Sequence, residues 1–320
     1  MESLQATKRR IKGTNNIRQI TKAMELVAAT RMRKSQEVAL NSRPYSFTAL
    51  DLLANIVSMP NVILPPLLTQ REVKHTLVVV VASDKGLAGS FNSSVFRELD
   101  KFLEEKDLAP ASFIAVGIKS AKYLERKGIT PIQTFIKVGD MTELDEVTPL
   151  ATLVTDGYLS EKWDKVTVFS THFRTALRQE VLQRDILPVD TTTLKNTVRE
   201  IVPEHGRFAN LRKELESFML PAKVSPQGAE RGEVSPWLST EYIIEPSPTE
   251  LLTALVPHLV LMQFYFLVLE ANASEHAARR MAMESASSNA EDLVNSLTQS
   301  FNKSRQAAIT REIIEVTSNI

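Results

Sequence analysis

Ser83-Asp-Lys-Gly-Leu-Ala-Gly-Ser-Phe-Asn92 follows an apolar run, Leu77–Ala82, and precedes a segment of helical character. Glycines and a serine between a strand and a helix are typical of loops that cradle phosphate, where bare backbone amides approach the anion. The spacing here meets neither phosphate template. A Walker loop requires GxxxxGK[ST], but Gly86 and Gly89 are separated by only Leu87 and Ala88, and Lys85 precedes them. The dinucleotide pattern GxGxxG is also missing. The expectation is a structural turn at Gly86 and Gly89, with Ser83 and Asn92 satisfying nearby backbone amides.

Other chemistry is equally thin. His75, His172, His205, His258 and His276 lack ligand spacing such as HExxH. There is no GxSxG nucleophile elbow. The acidic cluster Asp140, Glu143, Asp145 and Glu146 suits the positive end of the helix it opens. The absence of cysteine removes disulfides, thiolate metal sites and thiol nucleophiles. The sequence therefore predicts no catalytic residue, no metal and no cofactor.

With 38 Lys+Arg against 38 Asp+Glu, the 320-residue chain gives no electrostatic reason to bind nucleic acid. That neutrality hides a basic arm. Residues 1–36 hold Lys8, Arg9, Arg10, Lys12, Arg18, Lys22, Arg31, Arg33 and Lys34 against only Glu2 and Glu25. The arm lacks a small-residue cleavage site and runs on into helix-like sequence, so a transit peptide is not expected. Leu251–Leu269 carries no formal charge, but Pro257, His258 and Gln263 interrupt it. It reads as a helix buried against a domain instead of a membrane span.

The elements that would position any site fall into two arms around a centre. The N-terminal arm, residues 1–60, reads as helix, with Ile17, Ile20, Met24 and Val27 forming an apolar stripe and Pro44 bending or ending it. Ser247-Pro248-Thr249-Glu250 is a capping box, and beyond Pro257 neither proline nor glycine occurs. Along that run Ala277, Met281, Ala286, Ala290, Leu293, Leu297, Phe301, Ser304, Ala308 and Val316 recur near helical spacing.

About 60 helical residues at 1.5 Å span roughly 90 Å, whereas a compact chain of this length is about 50 Å across. The helix must therefore protrude, and its apolar stripe needs a companion, for which the N-terminal arm is available. Between the arms, residues 74–189 alternate strands (Thr76–Ala82, Ser112–Val116, Ile132–Val138, Val166–Ser170) with helices (Ser93–Lys106, Ile118–Lys127, Glu143–Leu159). Glu180–Leu187 and Glu241–Glu245 read as further strands. Residues 190–240 form a polar insertion with one helical piece, Phe208–Met219. The fold class predicted is α/β: a central Rossmann-like domain plus a long antiparallel two-helix coiled coil from the terminal segments, the last strand and C-terminal helix occupying 241–320.

Several stretches carry a resemblance. Ile20–Gln36 (ITKAMELVAATRMRKSQ), Arg43-Pro-Tyr45, SDKGLAGSFN, EPSPTELL, ASEHAARRMAM and NKSRQAAITREIIEV closely resemble, in order, signatures of the gamma subunit of F-type ATP synthases. Only about residues 190–240 fall outside.

The resemblance implies a coiled coil inside a ring of three alpha and three beta subunits, with the α/β domain below it against the epsilon subunit and the ring of c subunits. Rotation of this central stalk would couple proton flow to ATP synthesis or hydrolysis, on the cytoplasmic face of a bacterial membrane. It implies alpha/beta-ring contacts at Met24, Arg31, Arg33, Lys34, Arg305, Gln306 and Thr310, and c-ring contacts at Tyr242 and Glu245. Many relatives have cysteine where Ala88 stands. Chloroplast members carry a redox-sensing insertion near 190–240; without cysteine, the expectation here is a helical hairpin that modulates rotation or epsilon contact. The alternatives are a nucleotide-binding α/β enzyme with helical arms and a vacuolar or archaeal-type stalk, and the latter lacks an α/β domain.

Overall fold

The computed structural model describes residues 4–41, 62–104, 110–138, 143–190 and 244–318, with single positions between 45 and 59. The expected bend at Pro44, the insertion beyond Asp190, its helix at 208–219, Asp140, Tyr242 and most of the strand at 241–245 lie outside them.

The C-terminal helix settles the architecture. Pro248–Ser318 is one unbroken α-helix of 71 residues, about 107 Å long at 1.5 Å per residue. In chain order the elements are α1 (Leu4–Asn41), β1 (Thr76–Val81), α2 (Phe91–Leu103), β2 (Ala111–Val116), α3 (Ile118–Arg126), β3 (Gln133–Phe135), α4 (Leu144–Leu159), β4 (Lys165–Phe173), β5 (Gln179–Leu187) and α5 (Pro248–Ser318). One half of the capping box forms: Ser247 Oγ accepts the Glu250 N–H at 3.2 Å. Pro257 sits inside α5 without ending it.

The strands form one five-stranded sheet in the order β3-β2-β1-β4-β5. β1 to β4 are mutually parallel and β5 pairs antiparallel with β4. The central strand, Thr76–Val81, is buried throughout, which is why it reads as a continuous apolar run without alternation. One sheet face packs on α2 and α3 through Val78, Val80, Val95, Leu99, Leu124 and Phe169. The other, through Val79, Val81, Val166 and Val168, packs on α4 and α5. Leu251–Leu269 belongs to this second core, with Val256, Val260, Phe264 and Leu267 almost completely buried.

The strand expected over Ile132–Val138 shrinks to Gln133–Phe135. Lys137 takes a left-handed backbone (φ 66) and turns its N–H to Asp84 Oδ2 at 2.8 Å, which breaks the ladder.

α1 lies along α5, and two contacts give the direction. Arg18 Nη1 meets Glu291 Oε1 at 3.3 Å, and Tyr45 meets His258 edge-on at 5.6 Å. Sequence rises on one helix as it falls on the other, so the pair is antiparallel.

The seam differs from the stripe expected. Ile17, Ile20 and Val27 are 55%, 60% and 51% exposed. The residues turned inward are Thr7, Glu25, Ala28, Met32, Ser35 and Ala39, all buried. This set keeps the spacing of three and four, rotated one residue from the apolar stripe. Small side chains win the seam because they let two backbones approach; Ala277, Ala278 and Ala290 do the same on α5. On α5, Ala277, Ala286, Ala290, Leu297, Phe301 and Ala308 are buried or half-buried as read, whereas Met281, Leu293 and Ser304 point to solvent. The side chain of Val316 lies outside the described set.

Gly117 ends β2 with φ 92, and a Cβ there would stand 2.0 Å from the Ala82 carbonyl oxygen. Gly117→Ala combines a left-handed backbone with a backbone clash, at a cost of about 2–4 kcal/mol. A urea unfolding curve of the variant should show the midpoint lowered; an unchanged midpoint would refute the close approach.

Candidate functional site: a loop and a buried ion cluster that hold the shaft

The SDKGLAGSFN loop leaves β1 at the carboxyl edge of the sheet. Asn92 Oδ1 accepts the Ser83 N–H at 3.0 Å, as expected. The Ser83 hydroxyl instead donates to the Lys85 carbonyl at 2.7 Å and accepts from Asn92 Nδ2 at 2.8 Å. Asp84 fills the place that an anion would take at a helix N-terminus. Its Oδ1 accepts the N–H of Ile118, the first residue of α3, at 2.9 Å, and its Oδ2 accepts that of Lys137. The left-handed residues of the turn are Leu87 (φ 63) and Gly89 (φ 54).

The loop presents carbonyls, and a cation occupies them. Arg279 Nη2 points at the carbonyl oxygens of Lys85 and Gly86, 3.4 and 3.3 Å away. The same guanidinium is braced by Glu275 Oε1 at 2.6 Å. Gly89 lies so close to α5 that a Cβ would sit 3.6 Å from the Ala278 carbonyl. Two signature stretches, SDKGLAGSFN and ASEHAARRMAM, thus meet each other. The loop docks a helix.

Nine residues before Arg279, a charge cluster is sealed inside. Glu270 Oε2 lies 3.1 Å from Arg184 Nη1 on β5 and 3.1 Å from His172 Nδ1 on β4. The three side chains are only 6%, 6% and 1% exposed. Burial works to raise the Glu270 carboxyl, but the Arg184 guanidinium and the His172 ring outweigh it and hold the group below its ordinary value. Between the two fixings, Ser274 Oγ reaches the Thr171 carbonyl at 3.4 Å. None of this was read from the sequence. A signal existed: Glu270 is the first charge after 19 uncharged residues on a helix judged to be buried, and a buried carboxylate must be paired.

The residues implied by resemblance do not form one site. With equal rise on both helices, the Arg18–Glu291 contact places Arg31 level with Ala278, near the docking loop. Arg33 and Lys34 are exposed there, while Met24 and Arg31 are half-buried. Arg305, Gln306 and Thr310 are exposed on α5, about 40 Å further along at 1.5 Å per residue. At that level Leu4 is the first described residue of α1, so the last turns of α5 stand beyond it with Ile309, Ile313 and Ile314 exposed. Glu245 is exposed just ahead of the capping box, at the opposite end.

An α/β domain from which a long antiparallel helical pair projects defines a stalk-like protein. A family model described as ATP synthase matches residues 3–320. The ATP synthase gamma chain of Desulforamulus reducens is 33% identical over 316 residues, 99% of this chain and 97% of that one. The gamma chain of Opitutus terrae is 35% identical over 316 residues, with the same two coverages. The chain belongs to the ATP synthase gamma-chain family. Among solved structures, the fold is similar to the central stalk of Tetrahymena thermophila mitochondrial ATP synthase (TM-score 0.55, 23% identity, 84% of this chain and 99% of that one). It is also similar to the rotor of the Euglena gracilis enzyme (TM-score 0.57, 17% identity, 96% and 98%).

The ion cluster makes stability depend on pH. Because the folded Glu270 carboxyl lies below its ordinary value of 4.5, its contribution is complete above that pH and is lost as pH falls through the lower, folded value. Glu270→Gln should lower stability at pH 7 by about 3 kcal/mol and flatten the loss between neutral and acidic pH. Denaturant titrations of both proteins at pH 7 and pH 4 would check this; parallel pH profiles would contradict it.

Proposed function

We propose that this chain is the rotating axle of an F-type ATP synthase, a subunit that transmits torque and performs no bond chemistry. In this reading the α1–α5 pair stands inside a ring of three alpha and three beta subunits. The α/β domain and the foot of α5 meet the epsilon subunit and the c ring. The complex is attached to a membrane, with this subunit on its cytoplasmic face.

The observation that carries this reading is the unbroken 71-residue helix that, with α1, leaves large apolar side chains exposed among its polar ones. Ile17, Ile20, Leu26 and Val27 on α1, with Leu293, Ile309, Ile313 and Ile314 on α5, are exposed along the projecting pair. Leaving such side chains in water forfeits about 1.5–3 kcal/mol for each that could be buried, so they call for an apolar sleeve around the shaft. Met24, Arg31, Arg33 and Lys34 would face the ring at the collar, and Arg305, Gln306 and Thr310 near the tip. Charged pairs at such a sliding surface are individually weak and can exchange partners. Tyr242 and Glu245 would face the c ring, and the 190–240 insertion would act on rotation or on epsilon.

The enzyme alternative loses its support at the loop, where the Lys85 and Gly86 carbonyls receive Arg279 and Asp84 holds the α3 N-terminus. The vacuolar or archaeal-type alternative conflicts with the five-stranded domain between the helices.

Co-expression with alpha and beta subunits should yield a complex with one copy of this chain per six partners and ATPase activity. Ending the chain before Thr310 should weaken assembly or lower protons pumped per ATP hydrolysed at least severalfold. Truncation without effect on either would reduce the protein to a tether.

A further inference from the structure

Large interdigitating side chains such as Phe264 and Leu267 resist turning of α5 near its foot, but this resistance fades where the side chains become small. From Ala271 onward the buried face of α5 is largely small, with Ala271, Ala273, Ala277 and Ala278 all buried, and apolar contact there is non-directional. Directional resistance has to come from hydrogen bonds and ion pairs, whose energy falls steeply when donor and acceptor are turned out of line. Along the buried face of α5 these occur at Glu270, Ser274 and Arg279.

Glu270 is charged and joined to two strands at once, through Arg184 on β5 and His172 on β4. Its other oxygen, Oε1, has no hydrogen-bond partner among the described residues. A carboxylate in that setting costs free energy to bury, and an apolar residue of similar size would pack there at no such cost. Stability alone therefore does not explain why the helix carries it at the point where shaft meets domain.

We propose that the Glu270–Arg184–His172 cluster is the key that locks the α/β domain to the shaft against rotation, so that torque passes between them there. Turning the helix relative to the sheet would pull Oε2 off both donors and leave the Glu270 carboxylate buried without a partner. Arg279, braced by Glu275 against the loop carbonyls, is a second fixing about 13 Å further along the helix at 1.5 Å per residue, and the two together oppose tilting. Glu270, Arg184 and His172 are in this sense positioning residues. The inference rests on the axle reading above.

The test uses the chain assembled with alpha and beta subunits, the ring fixed to a surface and a bead attached to the α/β domain. Angular variance of the bead during the pauses that wait for ATP is inversely related to the torsional stiffness between domain and ring. Glu270→Gln should raise that variance about twofold or more, with ATP hydrolysis of the bead-free complex within twofold of the unaltered protein. Arg184→Lys, which keeps the charge but loses the fork, should give an intermediate value and decides the matter if Glu270→Gln fails to assemble.

Asp164→Asn is the control. It breaks the pairing of Asp164 with Arg71, whose contacts with Tyr158 and Trp163 lie within the α/β domain, as do Lys74 and His75 on the same carboxylate. It should lower the unfolding midpoint and leave the variance unchanged. Unaltered variance in both Glu270→Gln and Arg184→Lys would overturn the inference, and so would equal broadening by Asp164→Asn. An unaltered chain that neither assembles nor turns would instead refute the axle reading, and this inference with it.

Discussion

A helix of 71 residues is about twice as long as the body of its own chain is wide, and the other features of the protein answer that mismatch. Its first third is buried against the sheet, where Val256, Val260, Phe264 and Leu267 complete a core with Val79, Val166 and Val168. A little further along, the loop after β1 docks on it at Ala278 and Arg279. α1 covers one side of the remainder, from Leu4 to Asn41, and the rest of the surface carries exposed isoleucine and leucine among its polar residues. The chain satisfies its backbone within itself and leaves its apolar surface to others.

That division explains why the seam between the helices is mostly alanine, threonine and serine, with Glu25 and Met32 the larger residues turned inward on α1. Small residues allow close approach and a stiff pair without consuming the large apolar side chains. The ion pair Arg18–Glu291 between them joins side chains that are 38% and 58% exposed and contributes little. Stiffness comes from backbone proximity, and the larger residues remain available for contact with a surrounding surface.

The two polar fixings between shaft and domain are of different kinds. The loop after β1 holds Arg279 with backbone carbonyls, so its identity depends on shape more than on side chains. Glu270 is held by side chains from two strands in a water-free interior, where partners are individually necessary and removal of one exposes the others to the full cost of burial.

Much of this was written in the sequence. The serine cap at Ser247, the run without proline or glycine after Pro257 and the strand read at Thr76–Ala82 act through neighbours a few residues away, and they formed with small differences: one bond of the capping box, an unbroken helix and a strand ending at Val81. Composition and spacing also excluded the phosphate templates at Gly86 and Gly89. What local pattern could not decide was which of two stripes on α1 faces its partner. Both have three-and-four spacing, and the choice between Ile17–Ile20–Val27 and Thr7–Ala28–Ser35 rests on how closely two helices from opposite ends of the chain approach. The same holds for Glu270, Arg184 and His172, which are separated by up to 98 positions and meet only because β4, β5 and α5 converge. Interactions within a turn or a strand are encoded by neighbours, whereas a buried charge is defined by what the folded chain brings around it.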